Sequence, residues 1–340
     1  MKKILIIFIM VILVIFLAAY IFLKDISTKT HRSIPYFFNT FSQAQKNKEN
    51  FLQNSVSFIV LGLDRRNDLL EQTETTDTIM YANLNFKTAK LNFISIPRDL
   101  WSYSSNSKIN NIYPLAKEKS EKFSYIQNEF KIITGQEITK TIILSTENLI
   151  DFVKLIGGVD INLENGFIDE KYPNPDYISN PSPSTPIYKT IEFKAGPNHL
   201  DESNITEFVR SRKSAETSAS GGTDLGRILR QQLLLEAIIQ KIKSPDFVKN
   251  PQNIINLYNF WQKNIETNIN DVDLISWGLM FGKNIRNIII QKITIPTAEY
   301  PQTSIIYHPN KFINLQWVYI PLSENYKELH QFIDQSISAK

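Results

Sequence analysis

The chain is 340 residues long, 42% hydrophobic and 21% charged, with a formal net charge of +3 and no cysteine. That balance is ordinary for a globular protein. It contains no basic tract of the kind that marks nonspecific nucleic-acid binding, so no nucleic-acid partner is expected. The lack of cysteine removes disulfides as a source of stability.

Met1-Lys2-Lys3 precedes an uninterrupted apolar run over residues 4–23. At about 1.5 Å per helical residue, this run matches a hydrocarbon core of about 30 Å. A cleaved signal would have a shorter apolar core and a small-x-small site, which Ala18-Ala19-Tyr20 fits poorly. The expectation is a retained transmembrane helix with residues 1–3 as a cytoplasmic tail. Lys2, Lys3 and the amino terminus favour an inside start, although Lys24, Lys29 and Arg32 follow the span. The rest of a single-pass chain at the cell membrane would then be extracytoplasmic. Residues 24–54 read as a stalk. Phe37, Phe38 and Phe41 lie close to helical spacing, which suits a short helix on the membrane surface or packed on the domain.

Residues 57–63 form a continuous apolar run, a buried strand ending at Asp64. Residues 79–84 and 91–96 predict two more strands, close enough to make a hairpin, and Pro97 leaves Arg98-Asp99 in a loop. Helices over 123–134, closed by Gly135, and 146–156, stopped by Gly157-Gly158, flank a strand at 141–144; another strand follows at 159–163. Five prolines between Tyr172 and Tyr188 mark a long loop, either a lid or a surface insertion. Residues 203–209 read as a helix delivering Arg210 and Arg212, and a longer helix starts near Asp224. Helices near 253–263 and 272–281, a strand at 287–295 and a helix at 324–337 end the pattern. The alternation predicts an α/β fold of α-β-α layers, a mixed central sheet covered by helices on both faces and preceded by one transmembrane helix. The boundaries are a catalytic domain over 55–300 and a C-terminal extension, 301–340, packed on it.

Only nine arginines stand against twenty-eight lysines, and seven of them cluster: Arg65 and Arg66, Arg98, Arg210 and Arg212, Arg227 and Arg230. Guanidinium binds phosphate oxygens bidentately where ammonium is a point charge. Each cluster also has a nearby acid, Asp64, Asp77, Asp99 or Asp224, which is the donor set of a magnesium–pyrophosphate site. The competing reading is a set of surface salt bridges. On a helix, Arg227, Arg230 and Gln231 are three and four apart and would share one face near its positive end. Arg210 and Arg212, two apart, would share one side of an extended chain. Asp64 and Asp77, at adjacent strand ends, could hold one Mg²⁺ with water and phosphate. The four tryptophans read as core or interface, with Trp101, just after Arg98-Asp99, the exception to watch as a sugar platform.

Seven stretches in order resemble the LytR-CpsA-Psr family of cell-wall glycopolymer transferases. They are Leu61-Gly-Leu-Asp-Arg-Arg66, Thr76-Asp-Thr-Ile-Met80, Ser95-Ile-Pro-Arg-Asp99 and Lys108-Ile-Asn110, then Phe152-Val-Lys-Leu-Ile-Gly-Gly-Val-Asp160, Phe208-Val-Arg-Ser-Arg212 and Asp224-Leu-Gly-Arg-Ile-Leu-Arg-Gln-Gln232. Two positions depart from the family pattern: Thr75 stands where an arginine is usual, and Asn111-Ile-Tyr-Pro114 replaces a His-Ala-Tyr-like stretch. The resemblance implies transfer of a glycopolymer from a polyprenyl-pyrophosphate carrier to peptidoglycan through a phosphodiester. By the same resemblance Asp64 and Asp77 hold Mg²⁺, Arg65, Arg98, Arg210, Arg212, Arg227 and Arg230 clamp the pyrophosphate, and Gln231 adds a hydrogen bond. Asp99 and Lys108, on matched stretches, complete the candidate site. Alternatives are a lipid-pyrophosphate hydrolase with water as acceptor and a non-catalytic polyprenyl-phosphate-binding protein.

Overall fold

The computed structural model describes residues 23–51, 55–64, 74–211, 214–215, 224–281 and 287–338. The expected span over 4–23 lies outside the described residues except for its last residue. Among the described residues, no helix is long and apolar enough to cross a membrane.

The main sheet has six strands: β1 (Ser55–Asp64), β2 (Thr75–Asn85), β3 (Lys90–Ser95), β4 (Lys140–Ser145), β5 (Glu266–Thr267) and β6 (Ile289–Thr294), in the order β5-β4-β1-β2-β3-β6. β2 is antiparallel to both β1 and β3, while β4 runs parallel to β1 and β6 parallel to β3. Four strands therefore point one way, and their C-terminal ends gather Asp64, the Pro97–Asp99 turn and Ser145 at one edge of the molecule. Open α/β sheets commonly bind ligands at that edge.

Both faces of the sheet are covered, which is why β1 reads as an unbroken apolar run rather than an alternating one. Ile59, Leu61, Ile79, Tyr81 and Ile94 pack on one side against Ile126 and Phe130 of helix Lys122–Thr134 and Leu329 and Ile333 of helix Lys327–Ser338. Val56, Phe58, Leu84, Leu91 and Phe93 face the other way, toward Leu235 and Ile239 of helix Asp224–Lys243 and Trp277 of helix Asp271–Phe281. The left-handed Gly135, with φ of 71°, closes the Lys122–Thr134 helix, a conformation that costs glycine no Cβ clash.

A second apolar cluster sits beside the main sheet. Helices Thr146–Leu155 and Ile205–Arg210 pack with small sheets built from Val159–Leu163, Phe167–Pro173, Tyr188–Phe193 and Gly196–Leu200. Phe167, Phe193 and Phe208 are its aromatic centre, with ring centroids 5.1–6.1 Å apart. The proline-rich segment joins the antiparallel strands Phe167–Pro173 and Tyr188–Phe193, which pair from Phe167↔Phe193 to Pro173↔Tyr188. It holds a one-turn helix, Pro175–Ser179, capped by the Asn174 side chain.

The segment read as a stalk contains the 18-residue helix Ile34–Phe51, which packs against helix Asp271–Phe281. Asp271, 8% exposed, anchors this end of the chain. It accepts from Tyr36, from Tyr258 at 2.8 Å and from Gln262 at 2.7 Å, with Arg32 at 3.7 Å. Asn259 also donates to the Lys29 carbonyl at 2.9 Å.

Candidate active site

Asp77 is the third residue of β2, at the strand's N-terminal end. One carboxylate oxygen accepts from Arg98, and the other lies 3.5 Å from Arg227 Nη1. Arg98 Nε is 3.5 Å from Asp99 Oδ2, and Lys108 Nζ donates to Asp99 Oδ1 at 2.7 Å. The result is an alternating chain: Arg227, Asp77, Arg98, Asp99, Lys108. Three cations and two anions leave one net positive charge, held in side chains that are at most 20% exposed. Partial burial of this kind makes each charge weigh more than it would in water.

Local structure explains the placement. Pro97 cannot continue the β3 ladder, so the chain turns and presents Arg98 and Asp99. The Asn110 backbone N–H donates to the Arg98 carbonyl at 3.2 Å, and its carbonyl accepts from Thr76 at 3.2 Å. Arg227 lies in the first turn of helix Asp224–Lys243, where free N–H groups and the helix dipole favour anions. Asp77, Ser95, Arg98, Arg227 and Gln231 line a small pocket here.

The expected single face of Arg227, Arg230 and Gln231 divides. Arg227 and Gln231, one helical turn apart, line the pocket. Arg230 is rotated away from Gln231 by one residue, about 100°, and is 6% exposed. Its Nε donates to the Phe208 carbonyl at 3.0 Å and Nη2 to the Ser211 carbonyl, and the guanidinium lies 4.4 Å from the Phe167 ring centroid. In this arrangement Arg230 joins helix Asp224–Lys243 to the C-terminal end of helix Ile205–Arg210 and the residue after it. Gln231 Nε2 reaches the Val209 carbonyl at 3.4 Å.

Arg210 closes a helix rather than starting an extended segment, so the shared extended side expected for Arg210 and Arg212 is absent at Arg210. Its Nη2 donates to Thr146 Oγ1 at 3.1 Å, and Thr146 Oγ1 lies 3.4 Å from the Leu63 carbonyl, which places Arg210 by the end of β1. Arg65, Arg66 and Arg212 and the side chains of Asp64 and Asp224 lie outside the described residues. The register does place the Asp64 backbone opposite Thr75, two residues from Asp77. Trp101 is 3% exposed, a core residue and not a sugar platform.

Two supporting residues have no role in the sequence reading. Gln232, 2% exposed, donates to Ser95 Oγ at 2.9 Å and to the Ile293 carbonyl at 3.0 Å, pinning the arginine-bearing helix to β3 and β6. Thr146 orients Arg210. Both are ordinary polar residues whose roles exist only once distant strands meet.

Among the described residues, no group of three or more His, Cys, Asp or Glu side chains could hold a metal ion. Oxygen donors from Asp77 and the nearby Asp64 strand end are nevertheless the chemistry Mg²⁺ takes, with phosphate and water completing its shell.

The model of the LytR_cpsA_psr family matches residues 24–331. A polyisoprenyl-teichoic acid–peptidoglycan teichoic acid transferase TagU of Bacillus mycoides (strain KBAB4) is 25% identical over 252 residues, 71% of this chain and 68% of that protein. The cell wall biosynthesis protein LcpA of Corynebacterium glutamicum is 24% identical over 246 residues, 69% of this chain and 44% of its own length. Among solved structures, B. subtilis TagV superposes with a TM-score of 0.56 at 19% identity, covering 84% of this chain and 98% of TagV. TagT bound to LIIa-WTA gives 0.56 at 16% identity, covering 85% of this chain and 92% of that one. These likenesses establish a shared mixed α/β fold.

Proposed function

The chain belongs to the LytR_cpsA_psr family, and from that premise we propose that it is a membrane-anchored, extracytoplasmic phosphotransferase. It moves a glycopolymer from a polyprenyl-pyrophosphate carrier to peptidoglycan, leaving a phosphodiester. The observation that carries this reading is Asp77 held between Arg98 and Arg227 at the ligand-binding edge of the sheet.

A pyrophosphate brings several negative charges that must be compensated while a sugar hydroxyl attacks phosphorus. Catalysis of this kind rests on placement and electrostatics. Arg98 and Arg227 supply fixed guanidinium forks, and the Arg227 helix adds its positive end. Asp99 keeps Arg98 and Lys108 together. Arg210, Arg65 and Arg212 extend the clamp, and Gln231 gives a neutral donor. Arg230 acts beneath them as a brace. Mg²⁺ held by Asp64 and Asp77 would compensate the carboxylates and leave the arginines to the phosphates.

Product analysis tests the reading. Full-length protein supplied with lipid-linked polymer and glycan strands should form a polymer–glycan phosphodiester. Free phosphorylated polymer would instead identify a hydrolase, and donor binding without turnover a carrier-binding protein. Native mass spectrometry of protein drawn from membranes should also reveal a co-purified polyprenyl phosphate.

A further inference from the structure

We propose that an aromatic cluster near the C-terminus is a binding subsite for the sugar rings of the acceptor polysaccharide. This inference rests on the transferase reading above and adds to it the surface that receives the acceptor. His308 stacks on Trp317, with ring centroids 4.6 Å apart and planes at 21°. Tyr319 meets Trp317 edge-on at 4.8 Å, and Phe312 approaches His308 at 6.4 Å. The His308 ring is fixed, because Nδ1 donates to the Val318 carbonyl at 2.8 Å.

Three observations point to sugar as the occupant. The first is continuity with the candidate site: Tyr319 N donates to the Asp99 carbonyl at 2.9 Å, and Trp101 N to the Tyr319 carbonyl at 2.8 Å. The cluster is thus joined by backbone hydrogen bonds to the turn that presents Arg98 and Asp99. The second is exposure. Phe312 is 64% exposed, and Leu315 is 97% exposed at the tip of a tight turn with φ of 60°. A left-handed leucine is disfavoured by its Cβ, yet two backbone hydrogen bonds between Ile313 and Gln316, of 3.1 and 2.9 Å, hold the turn. The third is chemistry. Trp317 and Tyr319 join an apolar ring face to a polar edge, which suits the C–H faces and hydroxyl rims of a pyranose, while the arginine clamp suits the donor's phosphates. Acceptor and donor would meet at the Arg98–Asp99 turn.

Transfer kinetics of the full-length chain in detergent, with soluble uncross-linked glycan strands as acceptor, test this. Phe312→Ala and Trp317→Ala should each raise the KM for the strand by about tenfold. They should leave kcat at saturating strand and binding of the lipid-linked donor near wild type, and Trp317→Phe should recover part of the loss. An unchanged KM in both alanine variants overturns the proposal, as does a loss of donor binding with KM unaltered. If Trp317→Ala misfolds, the exposed Phe312 decides the matter alone. If the wild type transfers nothing, the transferase reading falls separately. Fluorescence titration with the same strands then decides the subsite: binding lost in Phe312→Ala supports it, and no binding by the wild type overturns it.

Discussion

Arg227 and Arg230 show what single residues do that spacing alone does not reveal. The scarcity of arginine marked both as chosen for geometry, and both guanidiniums are engaged. Their duties differ because one residue of helix turns a side chain by about 100°. Arg227 meets Asp77 in the pocket, whereas Arg230 holds the Phe208 and Ser211 carbonyls. Arg230→Lys keeps the charge but loses the fork, so it should lower urea stability by about 1–3 kcal/mol. A wild-type unfolding midpoint would return Arg230 to the ligand clamp. Asp77→Asn makes the complementary test. It preserves shape while removing the charge that organises Arg98 and Arg227, so transfer should fall about 100-fold or more with circular dichroism unchanged. Transfer near the normal rate would show that Asp77 is a structural ion-pair partner.

The elements were legible where one physical signal dominated. The apolar run of β1, the Pro97 stop and the Gly135 cap each translate directly into structure. Of the small sheets beside the second cluster only Val159–Leu163 was legible: Phe167–Pro173 carries Asp169, Glu170 and Lys171 on a short strand, and the prolines around it read as loop. The helix Ile34–Phe51 was visible, but its partner was not, because Asp271 lies more than two hundred residues away. That junction has a pH consequence. Burial pushes Tyr258, which donates to Asp271, up to about 12, and burial likewise raises Tyr326 to about 12. An unfolded tyrosine titrates near 10. The folded state thus holds these protons more tightly, so their stabilisation is complete below pH about 10 and is lost as pH rises toward 12. Urea midpoints should fall steeply over that interval, and Tyr258→Phe should make the fall shallower. Equal slopes in the two proteins would mean that Tyr258 has no part in it.

At the scale of the whole molecule, the proposed anchor and the catalytic body are joined by packed structure rather than by a free tether. Residues 23–30 are helical, and nearby Arg32 donates to Tyr258 at 3.1 Å. If residues 4–23 span the bilayer, the body is held close to it, and protease outside intact spheroplasts should reach the domain. Full protection until lysis would overturn that topology. The same packing decides where an autonomous domain begins. A chain starting at Ser55 would discard Tyr36, one of the donors to buried Asp271, and Ala44, which is 0% exposed and accepts from Ser276 at 3.3 Å. It would also uncover the face of helix Asp271–Phe281 on which Ile34–Phe51 lies. Leaving a buried carboxylate short of donors costs about 1–3 kcal/mol, before any loss of apolar contact. A chain starting at Ser33 keeps the Tyr36, Ala44 and helix-face contacts and gives up only those of Arg32 and the residues before it. By differential scanning calorimetry it should melt about 5 °C or more above one starting at Ser55. Equal melting temperatures would show that the helix adds no stability to the body and serves only as the stalk its sequence suggests.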